Sequence, residues 1–143
     1  MGVLSGYRII ELSGIGPGPL CGMLYADLGA EVIRIDRKKT ALPNSKPKYD
    51  ITGRNKKSLS LNLKNTESLE VFNKLIKNAD ALIEGFRPGV TEKLGVGPDD
   101  CMKINPKLVY GRITGWGQTG PLSNVPGHDI NYIALAGALH SIG

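Results

Sequence analysis

A glycine- and proline-rich turn separates two short runs of β-forming residues, and no other feature constrains the fold as much. Tyr7 to Leu12 (YRIIEL) predicts a strand, and Ala30 to Ile35 (AEVIRI) predicts a second one. A helix is expected between them, from Pro17 to about Leu28, because proline is tolerated in a first helical turn and Gly29 is a natural stop. This order predicts a parallel βαβ unit with a right-handed crossover.

The same alternation continues along the rest of the chain. Three further strands are expected, at Ser58–Leu63, Ala81–Ile83 and Leu108–Thr114. Helices are expected after a cap at Asn65 or Thr66, from Pro88 to Gly95, from Pro98 to Asn105, and from about His128 to Leu139. Strands that alternate with helices indicate an α/β fold with a mainly parallel sheet, and no linker or repeat divides the chain.

The basic residues are concentrated around one predicted loop, from Thr40 to Asp50, and the formal net charge is +5. They form two groups, namely Arg34, Arg37, Lys38 and Lys39, and Lys46, Lys48, Arg54, Lys56 and Lys57. A solvated surface would explain them, and so would a site for nucleic acid or for a polyphosphate small molecule. Aromatic residues make up only 6% of the chain, which disfavours base stacking, so the polyphosphate ligand is preferred.

Cysteine placement and hydropathy exclude other classes of protein. Cys21 and Cys101 stand apart without a CxxC motif, so we expect reduced thiols rather than a disulfide or a metal site. No apolar run approaches the length of about 18 residues that a membrane-spanning helix needs. We therefore expect a soluble, cytoplasmic protein with no metal, no membrane insertion and no nucleic-acid partner.

A partial dinucleotide-binding fingerprint follows the first predicted strand. Gly14 and Gly16 match its first two glycines, and Asp36 ends the second strand, where an acid would bind a ribose hydroxyl. The third glycine is replaced by Pro19, which cannot provide the close helix–strand packing that this glycine allows. A nicotinamide site is one alternative, and a glycine-rich turn of an α/β unit is the preferred interpretation.

Three stretches of the sequence together carry a family resemblance that covers essentially the whole chain. They are Gly14–Pro19 leading to Asp27–Asp36, then Ala81–Val90, and then Thr114–Pro121 followed by Gly127–Tyr132 (GHDINY). Together they resemble the family III CoA-transferase superfamily, and the GHDINY stretch is similar to its α-methylacyl-CoA racemase branch. The resemblance implies an acyl-CoA substrate, with no metal or separate cofactor. It also implies a large Rossmann-like domain, of which residues 1–143 form the N-terminal part, a smaller domain and an interlocked homodimer.

The resemblance gives His128 a catalytic role in inverting the carbon next to a thioester. That reaction needs a base on one face of the carbon and an acid on the other, and histidine suits general base chemistry near neutral pH. We expect His128 to begin a helix, which disfavours a protonated ring, whereas a capping or surface histidine is the alternative. By resemblance the opposing acid is an aspartate further downstream, because Asp129 is turned about 100° away around the helix. A chain of these residues alone is therefore expected not to racemise.

The resemblance also implies which residues contact CoA. They are Arg37, Leu61, Asn62, Leu63, Lys64, Gly85, Phe86, Arg87, Lys93, Gly127, Asp129, Ile130, Asn131 and Tyr132. Most follow predicted strands, at the carboxyl edge where open α/β sheets bind ligands, although Leu61 and Leu63 could equally be core and Lys93 solvated. Two other functions stay open: a CoA-transferase that works through a carboxylate, and a CoA-binding fragment without catalysis.

Overall fold

The computed structural model describes residues 2–37 and 50–143, which form one five-stranded sheet with helices packed on it. The strands are β1 (Arg8–Leu12), β2 (Glu31–Asp36), β3 (Lys57–Ser60), β4 (Ala81–Glu84) and β5 (Val109–Arg112). The helices are α1 (Pro17–Asp27), α2 (Thr66–Ile76), α3 (Val90–Lys93), α4 (Pro98–Ile104) and α5 (Asp129–Leu135), with short 3-10 turns at Ile51–Gly53 and Ala138–Ser141. Within these ranges no helix combines the length and apolar character needed to cross a bilayer.

All strand pairings are parallel, and the strand order is β3-β2-β1-β4-β5. β1 is central, with Ile10 opposite Ile33 of β2 on one side and Leu82 of β4 on the other. The chain winds outward from β1 to β3, and then returns to the other side of β1 at β4. Such a reversal is a topological switch point, where the loops at the carboxyl ends of the strands diverge and leave a crevice. The prediction of an α/β fold with a mainly parallel sheet is confirmed.

Alternate side chains of the central strands supply two cores, one on each face of the sheet. On one face Ile10 and Leu82 pack with Phe72 and Ile76, all of them fully buried. The latter two lie on α2, where the apolar residues recur at helical spacing as the sequence indicates. The opposite face packs Ile9, Val32 and Ile83 against Ala26 of α1. Both cores hold the sheet rigid beneath the loops of its carboxyl edge.

The third strand is shorter than predicted. It ends at Ser60 rather than Leu63, and the last inter-strand bond is donated by the backbone N–H of Leu61 to the carbonyl of Asp36. The chain then turns at Asn62, whose carbonyl accepts from Asn65 N and whose side-chain amide donates to Asn65 Oδ1 at 2.9 Å. Asparagine favours such turns because its side chain bonds local backbone and side-chain groups. The alternating pattern of apolar residues continues into this turn, which explains the overestimate.

The last predicted helix is divided into two pieces. α5 ends at Leu135, and a 3-10 turn occupies Ala138–Ser141. Gly137 lies between them with a φ of 80°, a left-handed conformation that commonly terminates a helix. Composition alone favoured a continuous helix because the segment is rich in alanine and leucine. By contrast, α1 and α4 begin at their predicted prolines, Pro17 and Pro98.

A buried ion pair joins β1 to α1 and to the segment before β3. Lys56 Nζ donates to Glu11 Oε2 at 2.5 Å and to the carbonyl of Pro19 at 2.8 Å, and both charged side chains are only 1% exposed. Gly22 of α1 leaves the space for this pair, since a Cβ there would overlap Glu11 Oε2. Burial raises the pKa of Glu11, although the Lys56 ammonium acts in the opposite direction. The pair therefore fixes α1, and with it the turn from Gly14 to Pro19, against the sheet.

Replacing Lys56 with methionine is expected to cost about 3–5 kcal/mol of unfolding free energy, because Glu11 is left as an uncompensated buried charge. Without the ammonium, the pKa of Glu11 rises further in the folded state while its unfolded value stays ordinary. The folded state then binds the extra proton more readily, so stability falls as the pH rises between these two values. The deficit against the wild type should shrink from about pH 7 to about pH 5, as measured by chemical denaturation at each pH.

Lys57→Met is the matched control for this experiment. Lys57 is the next residue, and its side chain is 71% exposed beside the surface carboxylate of Glu31. Its replacement should cost about 1 kcal/mol or less. Equal losses from the two substitutions would show that the Glu11–Lys56 pair has no special part in stability.

Candidate active site

A large cavity of about 850 Å³ lies at the carboxyl edge of the sheet, on the β4 side of the switch point. Its wall is built from the turns that follow β1, β4 and β5, together with the start of α5. These segments contribute Ile15–Gly18, Gly85–Pro88, Ile113–Trp116, Ser123, Val125–Asp129 and Tyr132. The wall is mainly apolar, with few charged side chains, which suits an organic ligand whose polar groups are held at a few points.

A second, smaller cavity of about 60 Å³ lies at the same edge, on the other side of the switch point. The ends of β1, β2 and β3 supply Leu12, Ser13, Ile35–Arg37 and Leu61–Lys64, and Phe86 and Leu94 complete it. Phe86 also lines the large cavity, so the two cavities share this residue as a wall. An elongated ligand with a charged end and an apolar body could therefore extend along the edge past Phe86.

His128 lies on the wall of the large cavity and is exposed. It immediately precedes α5 in an extended conformation, with φ −132° and ψ 170°, and so acts as the residue that starts the helix. Its backbone N–H donates to Asn131 Oδ1 at 3.1 Å, and its carbonyl accepts from Asn131 N at 2.9 Å. The backbone of His128 is thus held by the first turn of the helix, and the residue forms part of the cavity wall.

Tyr132 and Trp116 form the aromatic part of the same wall. Their ring centroids are 4.9 Å apart and the rings meet edge to face at 62°. The Tyr132 ring covers two glycines: a Cβ on Gly115 would overlap its hydroxyl, and a Cβ on Gly127 would come within 2.6 Å of ring atom Cε1. Glycine is thus required at both positions by the close approach of this ring.

A polar cluster centred on Arg112 holds the loop after β5 against the ends of the strands. Arg112, which ends β5, is 3.3 Å from the buried carboxylate of Glu84, donates to Gln118 Oε1 at 2.8 Å and also pairs with Glu92. Glu84 Oε2 accepts from the backbone N–H of Phe86 at 2.7 Å. Burial raises the pKa of Glu84, while that hydrogen bond and the Arg112 guanidinium lower it. This cluster ties the segments around Phe86 and Gln118 to the ends of β4 and β5.

Asp36, the acid of the partial dinucleotide fingerprint, is engaged by its own chain. Its Oδ2 accepts from Arg34 Nε at 3.0 Å and from Ser58 Oγ at 2.7 Å. A ribose hydroxyl would have to compete with these bonds, so the geometry does not favour a nicotinamide dinucleotide. Among residues 2–37 and 50–143, no group of three or more His, Cys, Asp and Glu side chains could hold a metal ion.

Comparison with known proteins assigns the chain to a family. The sequence profile of CoA-transferase family III matches residues 4–143. The chain belongs to CoA-transferase family III. It is 48% identical over 141 residues to the mouse protein named alpha-methylacyl-CoA racemase, a match that covers 99% of this chain and 35% of the relative. It is 35% identical over 150 residues to the mouse succinyl-CoA:glutarate CoA-transferase, covering 98% of this chain and 34% of that protein.

A solved structure agrees with the family assignment. The crystal structure of a hypothetical protein from Mycobacterium tuberculosis superposes with a TM-score of 0.87 at 36% identity, over 96% of this chain and 40% of that chain. The chain therefore spans about a third of the length of the curated relatives that it matches. The resemblance to family III CoA-transferases is confirmed, as is the Rossmann-like α/β fold with a mainly parallel sheet and flanking helices.

The fold brings most of the predicted site residues to the two cavities of this family III chain. Gly85, Phe86, Arg87, Gly127, His128, Asp129 and Tyr132 line the large one. Arg37, Leu61, Asn62, Leu63, Lys64 and, again, Phe86 line the small one. Lys93, Ile130 and Asn131 line neither, although Asn131 bonds the backbone of His128. Leu61 and Leu63 also pack against the core, so the two interpretations of these leucines are compatible.

Several residues of the cavity wall were not singled out from the sequence. They are Ile15, Trp116 and Ser123, together with the ion pair of buried Glu84 and half-buried Arg112, which lies outside the wall itself. All but Ser123 and Arg112 lie in the stretches that carry the family resemblance, which was the available signal. The basic residues Lys38, Lys39, Lys46 and Lys48 lie outside the described residues. His140 lies on the exposed 3-10 turn and lines neither cavity.

Proposed function

We propose that this chain carries the CoA site and the catalytic base of an α-methylacyl-CoA racemase. The observation that carries the proposal is the position of His128, an exposed residue on the wall of the large cavity at the carboxyl edge of the sheet. A histidine can remove a proton near neutral pH, and a thioester stabilises the resulting carbanion as an enolate. The similarity to the mouse racemase supports this activity over others in the family.

The proposed reaction is a proton transfer in two steps. The imidazole of His128 removes the proton from the carbon that bears the methyl branch, and the electron pair moves onto the thioester oxygen. A proton returned to the opposite face from a second acid then inverts the stereocentre. By resemblance that acid is an aspartate beyond these residues, and the acyl-binding pocket and the interlocked homodimer belong to the same proposal.

The two cavities match the two ends of an acyl-CoA. Arg37 and Lys64 give the small cavity, of about 60 Å³, positive charge for a phosphate group of CoA. The pantetheine arm would pass Phe86 into the large cavity, where Arg87 and Gly127 lie near His128. This orientation presents the thioester to the imidazole.

The role of His128 as the base can be tested by substitution in the full-length polypeptide that contains this sequence. A 2-methylacyl-CoA of one configuration is incubated in D₂O, and α-deuterium incorporation and loss of configuration are followed by NMR and chiral chromatography. His128→Asn keeps a polar side chain but has no basic nitrogen, so exchange should fall by about 10²- to 10⁴-fold.

His140→Asn is the matched control, because it removes the other histidine of the chain from a site outside both cavities. It should exchange α-protons at the wild-type rate. Equal rates for His128→Asn and the wild type would remove His128 from the reaction.

The CoA orientation predicts a role for Arg37. Arg37→Ala should weaken the binding of free CoA by about tenfold, since a charge-assisted hydrogen bond to phosphate is lost. The dependence of the dissociation constant on salt should also become shallower, because one fewer charge is screened. Isothermal titration at two ionic strengths measures both effects. Arg54→Ala, which removes an exposed arginine paired with Asp27, is the control, and an equal loss there would contradict the assignment.

A CoA-transferase is the second candidate, favoured by Asp129, a carboxylate on the same cavity wall. In that reaction a carboxylate attacks the thioester carbonyl, CoA leaves as its thiolate, and an acyl anhydride forms on the enzyme. Hydroxylamine added with acyl-CoA would trap the activated carboxylate as a hydroxamate, detected by mass spectrometry. We expect no hydroxamate on this chain, and a modified Asp129 would replace the racemase proposal with the transferase.

A further inference from the structure

We infer that Tyr132 is a positioning residue, whose ring holds His128 in place by filling the space between Gly115 and Gly127. The effect of this packing on catalysis rests on the proposed function, whereas the packing itself is independent of that proposal. The family resemblance places Tyr132 among residues that contact CoA, and Tyr132 lines the large cavity. The role inferred here is an additional one, in which the ring acts on the base through the backbone.

Within residues 2–37 and 50–143, few contacts other than those of Tyr132 hold helix α5 against the sheet and its helices. None of its residues is buried, and only Tyr132 and Ile133 are half-buried. The hydrophobic cores formed by the sheet, α1 and α2 include no residue of α5. The location of the helix, and of the histidine that starts it, therefore depends on local contacts.

The ring of Tyr132 provides such contacts on three sides. It covers Gly115, three residues beyond the end of β5, and Gly127 next to His128, and it meets the edge of Trp116. Gly115 belongs to the loop that leaves β5, so the ring links this loop to the residue before the base. Because a Cβ at Gly127 would come within 2.6 Å of the ring, the backbone at Gly127 and the ring are in close contact.

The first turn of α5 transmits the position of the ring to His128. The backbone N–H groups of Asn131 and Tyr132 both donate to the carbonyl of His128, at 2.9 and 3.2 Å. The N–H of His128 donates in turn to Asn131 Oδ1 at 3.1 Å. A displacement of Tyr132 must therefore displace His128 as well. A shift of about 1 Å in a catalytic group can cost about 100-fold in rate.

The first test uses the ligand-free chain and the NMR signals of its histidine rings. Tyr132→Leu removes the planar ring and should shift the imidazole resonances of His128. The signals of His140 and the amide signals of β1 to β5 should stay in place. Tyr132→Phe keeps the ring and should restore the His128 signals toward their wild-type positions. His128 signals that do not move in Tyr132→Leu would overturn the inference.

A second variant displaces the ring without removing it. Gly115→Ala adds a Cβ that would overlap the Tyr132 hydroxyl, so the His128 signals should move as they do in Tyr132→Leu. Gly14→Ala is the matched control, because a Cβ there meets nothing within 4 Å and its φ is not positive. Unchanged His128 signals in Gly115→Ala, with the sheet amides intact, would count against the inference even if Tyr132→Leu failed to fold.

The second test separates positioning from direct contact with the ligand. In Tyr132→Leu the turnover for α-proton exchange should fall by about 100-fold, while the dissociation constant for CoA changes by less than about threefold. Parallel losses in turnover and CoA affinity would assign Tyr132 to the ligand instead. If the full-length wild-type polypeptide exchanges no α-protons, the racemase proposal fails, and the histidine spectra still decide whether Tyr132 positions His128.

Discussion

The placement of the site depends on the reversal of winding around the central strand. β1 pairs in parallel with β2 on one side and β4 on the other, so consecutive loops leave the sheet in opposite directions at its carboxyl edge. Because the central strands β1 and β4 are largely buried, the carboxyl edge of the sheet is the place where polar groups and open space can coexist. The two cavities lie on either side of this point and share Phe86. A ligand with two chemically different ends suits that arrangement.

The walls of the crevice are held by charge as well as by apolar packing. Lys56 links Glu11 of β1 to the carbonyl of Pro19, which fixes the glycine- and proline-rich turn from one side. Arg112 links Glu84 and Gln118, which fixes the loop after β5 from the other. A buried ion pair such as Glu11–Lys56 adds little stability relative to apolar side chains of similar size, because desolvation offsets its attraction, although removal of one partner is costly. The main effect of the Lys56 and Arg112 clusters is to fix the positions of the two walls of the crevice.

The sequence predicts the elements of the sheet well because their signals are local. The βαβ unit follows from Tyr7–Leu12, Pro17 and Gly29 alone, and the apolar spacing around Phe72 and Ile76 determines the buried face of α2. The turn at Asn62 and the break at Gly137 were missed because the apolar pattern continues past both. Their backbone conformations depend on single residues that a periodic pattern averages out. The packing of Tyr132 on Gly115 could not be predicted, since the two residues meet only through the tertiary fold.

The same cavity explains how one family can contain racemases and CoA-transferases. A thioester offers two neighbouring reactive positions, the carbonyl carbon to a nucleophile and the adjacent carbon to a base. In the proposed binding mode, CoA along the sheet edge would bring both carbons to the segment that starts α5, and the side chains of that segment would decide the chemistry. In this chain His128 and Asp129, an imidazole and a carboxylate, are neighbours on the wall. The Tyr132 ring packs against Gly127, which restricts the backbone from which both side chains project.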